Sequence, residues 1–133
     1  LSLHDMWNRR QSTKFNGTPY IIQYAAARVF SEEGMKECME NISYYMENAR
    51  VIADTLRKKN IPFTGGVNSP YIWFKCPDGM ESWELFDYLL EKIQVVGTPG
   101  AGFGVNGKNY FRLTSFGTHE KTKEAMERFN QLF

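Results

Sequence analysis

The chain has 133 residues, of which 42% are hydrophobic, 15% aromatic and 23% charged, a balance that builds a core and excludes an intrinsically disordered chain. Sixteen Lys and Arg against fifteen Asp and Glu leave a net charge of +1, which excludes the one-signed field that recruits nucleic acid or an anionic membrane surface. The length is that of one domain, enough to bury roughly two thirds of the unfolded surface without staples.

The opening LSLHDMWNRRQSTKFNG is polar and mixed, with no apolar period. Its part from Trp7 to Gly17 reads as a solvated linker, and the opening as a whole as the first part of a piece cut from a longer chain. It lacks the order of a signal peptide, and no stretch approaches the ~20 apolar residues of a membrane span, so the expected compartment is the cytoplasm. Over residues 18–30, TPYIIQYAAARVF is rich in alanine and apolar residues, with Pro19 where a first helical turn tolerates it, and predicts a short helix. From about residue 35 to 59, Met35, Cys38, Met39, Ile42, Met46, Ala49, Ile52, Ala53 and Leu56 recur at steps of three and four, predicting a long helix with one buried face. Its other face carries Lys36, Glu37, Glu40, Glu47, Asn48, Arg57 and Lys58.

Residues 61–64 and 71–76 predict two short strands, separated by the turn-rich GGVNSP and closed by Pro77-Asp78-Gly79. Ser82 is the expected N-cap of a helix burying Trp83, Phe86, Leu89, Leu90 and Ile93. Val95 and Val96 suggest a third strand, the glycine-rich GTPGAGFGVNGKN a loop, and YFRLTSF a fourth strand. Thr118 is expected to cap a last helix that turns Ala125, Met126, Phe129 and Phe133 inward. The order ααββαββα favours an α+β fold, a two-layer sandwich in which helices pack on a small, mainly antiparallel sheet.

Arg112 is the most informative single residue. Period-two alternation puts Phe111, Leu113 and Ser115 on one face of its strand and Tyr110, Arg112, Thr114 and Phe116 on the other. A guanidinium beside aromatics on a half-buried strand needs an anionic partner. An internal Asp or Glu fits that need, and so does a substrate carboxylate gripped by two parallel hydrogen bonds. The loop Gly97 to Gly104 lacks the Gly-Lys-Ser/Thr of a P-loop and the dinucleotide spacing, and runs into a strand, so it reads as a shaped loop. Cys38 and Cys76 read as reduced packing residues, His4 and His119 as neither ligands nor bases, and no metal site is expected.

Taken together, WNRRQSTKFNG, YYMENAR, GGVNSPYIW, VVGTPGAGFG and YFRLTSFG resemble, in order and spacing, the C-terminal third of the LL-diaminopimelate aminotransferases. These are pyridoxal 5'-phosphate enzymes of fold type I. The resemblance implies an interdomain segment and short helix from the large-domain side at residues 1–30 and a C-terminal small domain at residues 31–133. It further implies a homodimeric parent that moves an amino group between glutamate and tetrahydrodipicolinate on the route to lysine, with small amino-acid and 2-oxo-acid substrates as its other partners. By the same resemblance Arg112 pairs with the substrate α-carboxylate, Asn16 reaches the neighbouring active site across the dimer, and Asn68 lies in a loop at the entrance. Ser12-Thr13-Lys14 imitates the family's cofactor-lysine motif, but the Phe-Asn-Gly-Thr-Pro that follows is not the family's glycine-rich text. The piece alone is therefore expected to hold no catalytic or cofactor-binding residue, to bind no pyridoxal phosphate and to be inactive. An aspartate or aromatic aminotransferase of the same superfamily, and a free-standing amino-acid-binding module, remain the alternatives.

Overall fold

Ser2 and Asp5 close a capping box: the Ser2 hydroxyl accepts from the Asp5 amide at 3.1 Å, and the Asp5 carboxylate accepts from the Ser2 amide at 3.1 Å. Those two bonds satisfy amides that a helix start leaves orphaned, and the Ser2 hydroxyl donating to the Asp5 carboxylate at 2.7 Å, with the Ser2 amide beside it, holds that carboxyl below its ordinary pKa. They begin α1 (Leu3–Lys14). The polar opening is thus a helix and not a linker. It shows no apolar period because none of its residues is buried, so cap and terminal charges, Asp5 first and Lys14 last, are the only sequence signals it carries. The computed structural model describes residues 2–15 and 17–133, which fall into two compact units, Leu1–Glu40 and Asn41–Phe133. In the first, α1 is followed by α2 (Tyr20–Val29), with Pro19 at its cap. The first turns of α3 (Glu32–Lys58) complete this unit. Ser31 caps them by accepting from the Gly34 amide at 3.1 Å.

Within α3, the buried apolar side chains are confined to the C-terminal part. Ala49, Ile52, Ala53 and Leu56 are buried, whereas Met35, Met39 and Ile42 are exposed. The predicted period is real, but only its second half meets a core. Asn48, expected on the solvent face, is wholly buried.

The second unit holds a four-stranded antiparallel sheet of β1 (Phe63–Gly65), β2 (Tyr71–Lys75), β3 (Thr98–Pro99) and β4 (Tyr110–Thr114), in spatial order β1-β2-β4-β3. The two longer strands show the same burial alternation, with Ile72 and Phe74 of β2 and Phe111 and Leu113 of β4 buried. Those side chains meet Leu56, Leu85, Leu89, Met126 and Phe129 from α3, α4 (Ser82–Ile93) and α5 (His119–Leu132). Helices on one sheet face and a core between them make the two-layer α+β architecture that the element order favours. Phe74 anchors this core, tilted against Phe111 at 5.7 Å and edge-on to Phe129 at 6.2 Å, both favourable aromatic separations.

Two local expectations need correction. Glu81, not Ser82, is the N-cap of α4. The buried stripe is Ser82, Leu85, Leu89 and Ile93, one turn-phase away from the expected Trp83 and Leu90, which are exposed. Ser82 is instead a buried first-turn residue whose hydroxyl accepts from the Ala101 amide at 3.2 Å. The third strand lies at Thr98–Pro99, after Val95 and Val96, because only there does the chain run in register with Arg112 and Phe111.

Candidate functional site

The sheet face turned away from the core helices carries Tyr71, Trp73 and Lys75 from β2 and Tyr110, Arg112 and Thr114 from β4. Arg112 lies in the middle of this face. Its backbone pairs with Trp73 on one side and Thr98 on the other. The guanidinium carbon sits 4.7 Å from the centroid of the Tyr71 ring and 4.7 Å from that of Phe103, within cation–π range of both. Trp73 extends the aromatic wall, edge-on to Phe103 at 5.5 Å and stacked on Tyr110 at 5.8 Å.

The hydrogen-bonding capacity of Arg112 is largely unmet within the chain. Nε is enclosed and has no acceptor, Nη2 makes one long contact to the Thr98 hydroxyl at 3.4 Å, and no ion pair among the described residues involves this side chain. Of the two partners open from sequence, the internal acid is therefore not the one this chain supplies. Leaving an enclosed donor unpaired costs about 1–3 kcal/mol, an amount an arriving acceptor can recover. A recess of about 330 Å³ flanks the arginine, lined by Thr98, Thr114 and Lys121 on its polar side and Val95, Ile52 and Met126 on its apolar side.

Asn68 lies exposed on the turn between β1 and β2. This hairpin is closed by the Gly66 amide donating to the Tyr71 carbonyl at 3.1 Å, so the loop leads directly into the residue whose ring touches Arg112. Asn16 lies outside the described residues. Sequence reasoning missed Tyr71, Thr98 and Phe103 as neighbours of the arginine. Tyr71 was within reach, because it shares the outward face of β2 and sits diagonal to Arg112 across the ladder. Phe103 carried a weaker sign, a large ring between Gly102 and Gly104.

The loop bearing Phe103 has a tightly defined base. Two 3₁₀ turns, Gly100–Phe103 and Val105–Gly107, cross where Gly100 and Gly107 meet backbone to backbone, and a Cβ on either would collide with the carbonyl of the other. Gly100 and Gly107 thus serve close approach. Behind the sheet a second polar arrangement joins α3 to the end of β4. The Asn48 amide donates to the carbonyls of Ser115 and Gly117 at 3.1 and 2.7 Å, and its oxygen lies 2.6 Å from His119 Nδ1. His119 packs tilted against Tyr44, with 3.8 Å between ring centroids. Among the described residues no group of His, Cys, Asp and Glu is placed to hold a metal ion, and no helix is long and apolar enough to cross a membrane.

Comparison with known proteins agrees with this architecture. Residues 7–129 match the family model for class I and II aminotransferases. The chain is 56% identical over 132 residues to a protein of Lachnospira eligens and 53% identical to one of Methanosphaera stadtmanae, both named LL-diaminopimelate aminotransferase, covering 99% of this chain each time. It spans about a third of the length of these curated relatives, 33% and 32%. A solved L,L-diaminopimelate aminotransferase from Chlamydomonas reinhardtii superposes with a TM-score of 0.89 at 37% identity, over 98% of this chain and 32% of that one. An aromatic aminotransferase from Pyrococcus horikoshii superposes with a TM-score of 0.75 at 29% identity, over 84% of this chain and 30% of that one. The chain therefore belongs to the class I and II aminotransferase family.

Proposed function

We propose that this chain is the C-terminal part of an LL-diaminopimelate aminotransferase, in which it supplies the arginine that holds the substrate α-carboxylate. The observation that carries the proposal is Arg112, a cation on the open face of the sheet whose Nε has no acceptor and whose chain offers it no acid. The terminal nitrogens of such a guanidinium grip a carboxylate side-on, which fixes direction as well as position. Orientation of that carboxylate sets how the neighbouring Cα–H bond lies relative to the cofactor, and such alignment is a large share of what an enzyme contributes to a transfer of this kind. Identity of 56% to a relative named for diaminopimelate, against 29% to the aromatic aminotransferase, favours the former substrate over the latter.

The family works with pyridoxal phosphate, which when bound draws electrons away from the substrate Cα. Four of the nine lysines of this chain illustrate where they are placed or engaged. Lys14 is exposed at the end of α1, Lys59 donates to the Asn130 carbonyl, and Lys108 and Lys121 pair with Glu81 and Glu124. In the proposed parent the seat of the cofactor belongs to a large domain outside this chain. Residues 1–30 then form the interdomain segment and short helix on the large-domain side, and residues 31–133 the small domain. The parent acts as a cytoplasmic homodimer in lysine biosynthesis, with glutamate and tetrahydrodipicolinate as substrates. Asn16 reaches the neighbouring subunit's site, and Asn68 lines the entrance.

The test is steady-state kinetics of the full-length enzyme carrying Arg112→Lys. This change keeps the charge and loses the fork, and kcat/KM for LL-diaminopimelate should fall by about two orders of magnitude or more. Unchanged kinetics would remove Arg112 from the site. Pyridoxal phosphate added to the 133-residue chain alone should give no stoichiometric, borohydride-reducible adduct on a single lysine.

A further inference from the structure

Arg112 is held without a counter-ion by two aromatic rings that reach it from different parts of the chain. Tyr71 comes from β2, and Phe103 from the tip of the glycine-rich loop. A long, flexible guanidinium with one 3.4 Å contact to Thr98 has little else to fix the direction in which its fork points. Ring faces do fix it, since a cation is attracted to the face, and the planar guanidinium stacks there with its N–H edge left free. The loop is built to deliver such a ring. Its base is locked by the Gly100 and Gly107 backbone crossing and by the Ser82 hydroxyl accepting from the Ala101 amide at 3.2 Å. At the tip, Gly104 takes a positive φ of 118°, a backbone turn open to glycine, immediately after Phe103. Phe103 nonetheless remains 55% exposed, too solvent-accessible to be explained as a core residue, and its recorded partners are Trp73 and Arg112.

We infer that Phe103, with Tyr71 as the opposite support, is a positioning residue that aims the Arg112 fork at a substrate carboxylate, and that delivering this ring is the function of the glycine-rich loop. The inference rests on the reading of Arg112 as the carboxylate-binding group. It gives Phe103 an effect on carboxylates that runs through the arginine, because its contacts are to Trp73 and Arg112.

The experiment uses the full-length holoenzyme, with succinate as a competitive carboxylate probe alongside the amino-acid substrate. Phe103→Leu keeps apolar bulk and removes the ring, and should raise KM and the succinate inhibition constant together by about tenfold. Phe103→Tyr restores a ring and should bring both constants back to within about threefold of the original. A purely structural role for the loop predicts no such rescue. If Leu and Tyr behave alike at this position, or if Phe103→Leu leaves succinate inhibition unchanged while Arg112→Lys abolishes it, the inference is overturned and the reading of Arg112 stands. If Arg112→Lys itself leaves succinate inhibition unchanged, the earlier reading fails and the inference with it. Tyr71→Leu against Tyr71→Phe repeats the comparison from the other support, should Phe103→Leu not fold.

Discussion

Two buried or half-buried polar residues of the second unit differ in how they are satisfied, and the difference sets the packing role of Asn48 apart from the binding role proposed for Arg112. Asn48 is wholly buried with its amide and carbonyl both engaged. Arg112 sits half-buried with an enclosed nitrogen unengaged. Replacing Asn48 by Leu strips partners from two carbonyls and from His119, so chemical denaturation should show a loss of about 2–3 kcal/mol. The two thiols also divide by environment. Burial pushes the Cys76 thiol up to about 11 from its ordinary 9.0, which keeps it protonated and unreactive at neutral pH. Cys38 lies partly exposed, so iodoacetamide should label Cys38 in the native chain and Cys76 only after unfolding. The raised value has a second consequence. Its contribution to stability is complete below pH 9, and is lost as the pH climbs from 9 towards 11. The same contrast governs what could be read from sequence. Arg112 announced itself as a charge within an alternating strand, whereas Asn48 looked like one more polar residue among Glu47 and Arg50. The carbonyls that draw Asn48 inward, those of Ser115 and Gly117, lie more than sixty residues away.

The elements were legible where a side-chain period meets a core, and illegible where caps or close backbone contacts decide. Both principal strands and the buried half of α3 follow from periodicity, whereas α1 does not, since it buries nothing. In α4 the ambiguity was one of phase. Aromatic Trp83 and aliphatic Leu90 look like core residues, but the stripe that meets the sheet is the one through Leu85 and Leu89. Thr118 was correctly legible as the cap of α5, its hydroxyl accepting from the Lys121 amide at 3.2 Å. Thr118→Ala should lower the stability of the chain by about 1 kcal/mol, measurable as a shift of the urea midpoint without a change of slope. The loop between β3 and β4 obeys a stricter rule. Gly107→Ala inserts a methyl group into the Gly100 carbonyl, and should destabilise by about 1–3 kcal/mol while displacing the loop that carries Phe103.

For the molecule as a whole, the distribution of apolar surface is lopsided. The first unit leaves Leu3, Tyr20, Ile21, Tyr24 and Phe30 all more than 70% exposed, on α1 and α2, which bury no residue, and at the C-cap of α2. Patches of this kind mark surfaces that are covered in the working state. The 133-residue chain in isolation should therefore self-associate with rising concentration in analytical ultracentrifugation. The pair of changes Ile21→Glu and Phe30→Glu should return it to a monomer with its near-UV circular dichroism intact. Composition and net charge gave no sign of this, since the hydrophobic fraction is ordinary and only the segregation of apolar residues onto unpacked helices departs from the usual pattern.

The strand that carries Arg112 is flanked on both sides, by β2 along its whole length and by β3 at Arg112 and Phe111. In the role proposed for Arg112, an anchor clamped between two neighbours has no freedom to wander, so diversification of this scaffold toward new amino acids has to proceed around a stationary handle. Swaps among the surrounding side chains can reshape what is accepted while the grip itself stays put.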